Sequence, residues 1–360
     1  MSLLVPLLLT MSTASAAAPA VASGPPAPVV ADPAPGLVRK SRTVDDVVIE
    51  VLVSDNPKDG DAHADAALDE AQRVFTLFDA RRTDGTLAQL HERAGLEAGV
   101  VDPEVFDVLV ALQRVAKLSK GAFDVTAAAY DDAWTFADSA SNEVRAPPRR
   151  ADVDRARQLV SVDDLLLDPV ARTARLKKPG ARIDLHGVIK GYAFDRARAV
   201  LLGRGVVDFV LQSGGDVVVS GQRGGRAWMV GVQDPRGPGP FLALPVEVAA
   251  LGGAVMSSSD NEHFFFAAGV RYHSILDPRT GLPSTRSRSV TVLHDDALLA
   301  EALSRAVFVL GEKDGLKLID RLPGANAVVV TADNRVVLSK GLQQLAKAQA
   351  LQQRPPTDGP

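Results

Sequence analysis

The sequence predicts an α/β or α+β fold with a mixed sheet, built as one domain, and three observations carry that reading. Short β-branched runs alternate with segments of helical period through the second half of the chain. Composition is ordinary for a globular protein, 46% hydrophobic and 23% charged over 360 residues. No linker or composition shift divides Arg39 from Gly341, and no internal repeat is visible, so residues 39–341 are expected to form a single unit although the length would admit two.

The elements follow in order. Residues 47–53 alternate among β-branched side chains and read as a first strand. Residues 62–80 place Ala67, Ala71, Val74, Phe75 and Phe78 at helical spacing. A second helix opens at Pro103, with Val105, Val108, Leu109, Leu112, Val115 and Ala116 along one face. A short strand at 182–185 then leads into a helix over 188–202. Strands are expected at 206–211, 217–220, 227–232, 246–250, 289–293 and 327–331, with a helix at 297–310. The tail, 342–360, is Gln/Ala-rich, weakly helical and then frayed.

Several function classes are excluded early. A net charge of -4 leaves no basic footprint for nucleic acid, and the 12 Phe, two Trp and three Tyr are not interleaved with basic residues. With no cysteine, the chain has no disulfide, thiolate ligand, thiol nucleophile or lipid-acylated cysteine. Residues 2–9 are apolar, and residues 13–22 are Ala-rich with A-x-A cleavage points, although no Lys or Arg precedes Arg39. A signal peptide over 1–22 and an Ala/Pro linker over 23–38 are therefore expected. They would give an exported protein, periplasmic or held at the outer side of the inner membrane. The apolar run is too short to span a bilayer.

Three segments carry chemistry. In Ile183-Asp184-Leu185-His186-Gly187-Val188-Ile189-Lys190-Gly191-Tyr192-Ala193 a carboxylate ends a strand, glycine makes a turn, and a helix opens with Lys in its first turn. Free N–H groups, the helix dipole and the ammonium together suit a phosphate, whereas a solvent lysine on a plain strand-turn-helix is the bland alternative. Gln212-Ser213-Gly214-Gly215-Asp216 permits close backbone approach to a ligand, or only a bulge. Ser274-Ile275-Leu276-Asp277-Pro278-Arg279-Thr280-Gly281 is a tight turn in which Arg279 clamps a phosphate or braces the turn.

In this order the segments resemble one family, the FAD:protein FMN transferases (ApbE type). Gly121-Ala122-Phe123-Asp124-Val125-Thr126 resembles its G-x-F-D-x-T segment, with Trp134 at the position of the following Trp. Asp184 to Ala193 resembles D-L-G-G-I-A-K-G-Y-A, Gly214-Gly215-Asp216 its G-G-D/N, and Trp228 to Pro235 its W-x-V-G-I-x-D-P. Asp277 to Gly281 matches D-P-x-T-G, and Val307 to Gly311 matches the end of A-D-A-L-S-T-A-x-x-V-L-G. The resemblance implies a single T-fold-like domain with an elongated FAD pocket. It also implies Mg²⁺-dependent transfer of FMN from FAD to a threonine hydroxyl on a partner protein, with release of AMP. Carried over by position, Asp124, Val125, Thr126, Asp184, Lys190, Gly215, Ile275 and Arg279 would meet FAD. Mg²⁺ would lie between an oxygen at Gly187 and side chains of the helix after Ala300, of which Glu301 keeps a carboxylate.

The departures bear on activity. The second metal-bearing position of that helix is Arg305, which has no acceptor to offer a cation. Its guanidinium is expected to occupy the cation site, paired to Glu301 one turn earlier, and to bind the pyrophosphate itself. The family's His before I-I-D-P is Ser274, which is no base near neutral pH; His273 beside it, His186 and His294 are the substitutes to test. His91 and Arg81 stand where the family carries Asn and Tyr, so the flavin end differs too. Three functions remain open: an FMN transferase whose catalytic set is Ser274, His273 and Arg305, a non-catalytic FAD-binding protein on the same fold, and an FAD pyrophosphatase. Mg²⁺ that tightens FAD binding is expected of the transferase, and no effect of Mg²⁺ if Arg305 replaces the metal.

Overall fold

A computed structural model describes residues 37–53, 57–136, 145–246 and 252–352. The expected signal peptide lies outside the described residues, as does the linker except for its last two positions. So do the final residues of the tail and all but the first residue of the strand expected at 246–250.

One eight-stranded sheet organises the chain, and its order in space is its order in sequence. The strands are β1 (Val38–Val44), β2 (Val47–Val53), β3 (Phe209–Ser213), β4 (Asp216–Ser220), β5 (Ala254–Ser259), β6 (Ser287–His294), β7 (Asn326–Thr331) and β8 (Val336–Leu338). Every pair is antiparallel, so of the two fold classes expected the chain is α+β. The helices are α1 (Pro57–Leu77), α2 (Thr86–Glu92), α3 (Pro103–Leu118), α4 (Arg150–Arg157), α5 (Ile189–Gly203), α6 (Ala297–Ile319) and α7 (Lys340–Gln352).

Because successive strand side chains face opposite sides, each run of β-branched residues feeds two cores. Val51, Val53, Leu211, Val218, Met256 and Val292 point into a layer containing α1, α3, α5 and α6. Leu52, Val210, Val217, Val219, Val255 and Leu293 point the other way, under a hairpin of Trp228–Gln233 and Pro240–Val246 and the helix α7. Burial on both faces explains why these strands read as continuous apolar runs.

Three departures from the expected elements have physical causes. Residues 182–185 join no ladder: the Ile183 N–H is donated to the His91 Nε2, 3.0 Å away, and the Asp184 N–H to the Val125 carbonyl. β1 has alternating exposure, with Arg39, Ser41 and Thr43 toward solvent and Lys40 paired to Asp65 of α1, the polar pattern of an edge strand, and it begins at Val38, inside the expected linker. The helix expected at 297–310 does stop being regular there: Gly311 sits at φ 76° and kinks α6, which then runs on to Ile319. No helix among the described residues is long and apolar enough to cross a membrane.

Candidate functional site

The site is assembled where α5 begins and α6 crosses it. The Asp184 carboxylate accepts the His186 N–H at 2.9 Å, and the Val188 and Ile189 N–H groups reach the Leu185 carbonyl at 2.8 Å, so the chain turns tightly into the helix. Val188, the residue before α5, supplies no side-chain cap. The crossing is close because Gly191 faces α6: a Cβ there would lie 2.4 Å from the Ala297 carbonyl oxygen. That proximity lets the Glu301 Oε2 accept the Gly191 N–H at 2.6 Å.

Charges then interlock. Lys190 pairs with Asp216 at the turn between β3 and β4, and its Nζ lies 4.0 Å from the Glu301 Oε1. The other oxygen of Asp216 accepts the Ser257 N–H at 2.6 Å. Burial works against the Lys190 ammonium, but Asp216, Glu301 and Glu262 outweigh it and hold its pKa above the usual range. Burial, with Asp216 beside it, pushes Glu301 up to about 7 against the opposing pull of Lys190. Glu262, in the turn after β5, is exposed as a residue, yet loss of water around its carboxyl raises its pKa, with Asp216 adding to the rise and Lys190 opposing it.

Arg305, on the next turn of α6, donates its Nε to the Gly187 carbonyl at 2.8 Å. A Cβ on Gly187 would lie 2.7 Å from its Nη2 and 2.8 Å from its Cζ, so the guanidinium lies flat on the glycine. The expected Arg305–Glu301 pair is therefore not what holds the arginine; Glu301 is turned to Gly191 and Lys190, and Gly187 holds the guanidinium.

A cavity of about 430 Å³ opens on the other side of the same turn. Asp45, Arg81, His91, Asp131, Asp184 and His186 line it. Asp45 reaches it from the β1–β2 turn, where Asp45 and Asp46 both sit at positive φ, 48° and 66°. The Arg81 guanidinium pairs with Asp79 and Asp45, and the His186 Nδ1 is 3.3 Å from the second Asp45 oxygen. Burial and the nearby Asp184 push Asp131 up to about 6, and burial pushes His91 down.

The other residues singled out by sequence are placed as follows. The Asp124 carboxylate is buried and already occupied, accepting the Thr126 N–H and hydroxyl and the Val162 N–H, while the Val125 carbonyl accepts the Asp184 N–H. This segment braces the wall of the cavity. Gly215 lies in the two-residue turn joining β3 to β4, with nothing within 4 Å of an added Cβ, so no close approach requires it. Arg279 makes a two-bond pair with Asp277 and braces its own turn. That turn is clasped by the Tyr130 hydroxyl on the Pro278 carbonyl and the Trp134 Nε1 on the Gly281 carbonyl, each at 2.8 Å, which brings two of the sequence motifs together.

His273, a catalytic candidate from the sequence, is held by the chain around it. It is buried, its Nε2 lies 2.8 Å from the Ser284 carbonyl, its Nδ1 accepts the Ile275 N–H, and burial depresses its pKa. Ile275 is buried beside it, and Ser274 gives its N–H to the His263 carbonyl. His294 accepts the Asp296 N–H at the start of α6. Asp45, Asp131 and Glu262 were not singled out in the sequence; two aspartates between short β runs are a turn signal that could have found the first.

A family model described as the ApbE family matches residues 45–329. The chain is 32% identical over 305 residues to the FAD:protein FMN transferase of Treponema pallidum, covering 78% of this chain and 81% of that one. It is 26% identical over 269 residues to the enzyme of the same name from Klebsiella pneumoniae, covering 74% and 82%. Among solved structures, the ApbE protein of Thermotoga maritima superposes with a TM-score of 0.74 at 30% identity, over 86% of this chain and 98% of that one. The flavin transferase ApbE of Vibrio cholerae gives 0.73 at 21% identity over the same shares, a likeness of fold.

Proposed function

The chain belongs to the ApbE family, and we propose that it moves FMN from FAD to a threonine hydroxyl of a partner protein, releasing AMP. In that transfer the acceptor oxygen bonds to the FMN-side phosphorus, the bond to the AMP phosphate breaks, and the hydroxyl proton leaves to solvent or a base. Negative charge shifts onto the departing phosphate oxygens, so fixed cations that already face them lower the barrier.

The resemblance also implies Mg²⁺, and the residues present do not fit it. The Gly187 carbonyl is taken by Arg305, Glu301 is taken by the Gly191 N–H, and a guanidinium has no lone pair for a metal. No group of three or more His, Asp or Glu able to hold a metal occurs among the described residues. The observation that carries the reading is the Arg305–Gly187 contact: a permanent cation, on the oxygen expected to face the metal, beside Lys190. Arg305 and Lys190 together would then neutralise the pyrophosphate, without a divalent ion.

One observation favours a second reading, an FAD-binding protein that performs no transfer. Ser274 stands at the family's His position and the neighbouring His273 has both nitrogens engaged, so neither offers a base to the acceptor hydroxyl. Export is part of the proposal as well, resting on the apolar residues 2–9 and the Ala-rich stretch after them. The test is the mass spectrum of a threonine-bearing acceptor after incubation with FAD, with and without Mg²⁺, following AMP in the same tubes. An FMN-sized gain with AMP in both conditions supports transfer by Arg305. A gain only with Mg²⁺ removes Arg305 from the cation role, and bound FAD with neither gain nor AMP establishes the second reading.

A further inference from the structure

Four histidines, His91, His186, His273 and His294, separate on one point of chemistry. A neutral imidazole has one nitrogen that accepts and one that donates. His91 spends an accepting nitrogen, Nε2, on the Ile183 N–H at 3.0 Å. His273 spends its Nδ1 on the Ile275 N–H, and His294 its Nδ1 on the Asp296 N–H at 2.9 Å. His186 is arranged the other way. Its Nδ1 faces the Asp45 Oδ2 at 3.3 Å, and a carboxylate at that nitrogen keeps the proton there and leaves the lone pair on Nε2.

The surroundings hold that lone pair in a useful place. Asp45 is fixed by the Arg81 guanidinium on its other oxygen, and the Asp184 carboxylate accepts the His186 N–H and sets the backbone of the turn. His186 borders the cavity of about 430 Å³, with Asp131 and Arg182 on other parts of its wall. It also immediately precedes Gly187, whose carbonyl carries Arg305. The cavity and the Arg305 cation therefore meet at this residue. The His186 side chain is 53% exposed, whereas His273 is buried. An acceptor hydroxyl on another protein can be met only by a base reachable from outside.

We propose that His186, oriented by Asp45, is the base that takes the proton of the acceptor hydroxyl; this rests on the transferase reading. As the acceptor oxygen bonds to the FMN-side phosphorus and the bond to the AMP phosphate breaks, the hydroxyl proton passes to the His186 Nε2. Asp45 faces the positive charge that the ring then carries, while Arg305 and Lys190 meet the charge moving onto the departing phosphate. The imidazolium returns its proton to solvent, which restores the neutral ring. Ser274 at the family's His position thus leaves the transfer with a base.

The test uses the full chain, saturating FAD and a threonine-bearing acceptor protein, with the rate of mass gain and of AMP release read in the same samples. His186→Gln is expected to slow transfer about a hundredfold or more, the scale of a positioned base, and Asp45→Asn to slow it less. FAD affinity and melting temperature are expected to stay those of the parent, since His186 is exposed. In His186→Ala, added imidazole is expected to restore part of the rate, which it would not do for a residue that only shapes the turn. Transfer by both His186 variants at the parent's rate would overturn the proposal and leave the transferase reading standing. So would a slowed His186→Ala that imidazole does not rescue. No transfer by the parent would overturn both.

Discussion

The Nε of Arg305 donates to the carbonyl of Gly187 at 2.8 Å across 118 residues of sequence, tying the middle of α6 to the turn that opens α5. The guanidinium can lie there only because Gly187 has no side chain, and the helices can cross there only because Gly191 has none. A cation on a carbonyl, a lysine three residues later and a helix N-terminus form one positive locus, while Asp216 and Glu301 behind it keep the locus from being a bare excess of charge.

Gly187→Ala tests the fit of the arginine. The new methyl would sit 2.7 Å from the Nη2, and the flexible arginine end moves more readily than the backbone. FAD affinity, followed by flavin fluorescence, is expected to fall about tenfold, the scale of one charge-assisted hydrogen bond, with little change in melting temperature. Unchanged affinity would mean that the guanidinium does not meet the ligand.

Asp216→Asn tests the buried ion pair. The amide oxygen still accepts the Ser257 N–H, but Lys190 loses its counter-charge and is left with the more distant Glu301. Breaking one partner of such a pair costs about 3 kcal/mol, read as a lower midpoint in urea unfolding. A loss under about 1 kcal/mol would place the pair among solvent-screened surface bridges.

The engaged ring of His273 gives a stability that depends on pH. Burial depresses its pKa in the folded chain below the ordinary 6.5. Its contribution is therefore fully present above that value and is lost as pH falls toward and through the depressed folded value. In His273→Gln the decline in unfolding free energy between neutral and mildly acidic pH is expected to be shallower, with His91, which is depressed for the same reason, accounting for part of what remains. An identical slope in variant and parent would show that the ring is not titrating with unfolding.

The helices α1, α3, α5 and the regular part of α6 were legible because their apolar positions repeat at helical spacing, and Gly311 marked where that regularity ends. β2, β4, β6 and β7 were legible as β-branched runs. β1 was not, since an edge strand carrying Arg39, Lys40 and Arg42 has the composition of a loop. In the site, Lys190, Glu301, Gly187 and Arg305 were identified from sequence, and they do meet. Their pairing was not legible: spacing on α6 suggested Glu301 with Arg305, whereas the helix crossing at Gly191 turns Glu301 toward α5. The turn at Asp45 has a local signal in its paired aspartates, but its contacts with Arg81 and His186 join distant turns, which no local pattern reports.

The most direct test measures FAD binding by the parent protein and by Arg305→Thr, in chelator and in Mg²⁺. With Arg305 as the resident cation, the parent binds FAD equally in both. The variant binds about tenfold or more weakly in chelator, and Mg²⁺ restores part of that loss through the freed Gly187 carbonyl. Tightening of the parent's binding by Mg²⁺, or a variant as tight as the parent in chelator, would contradict the account.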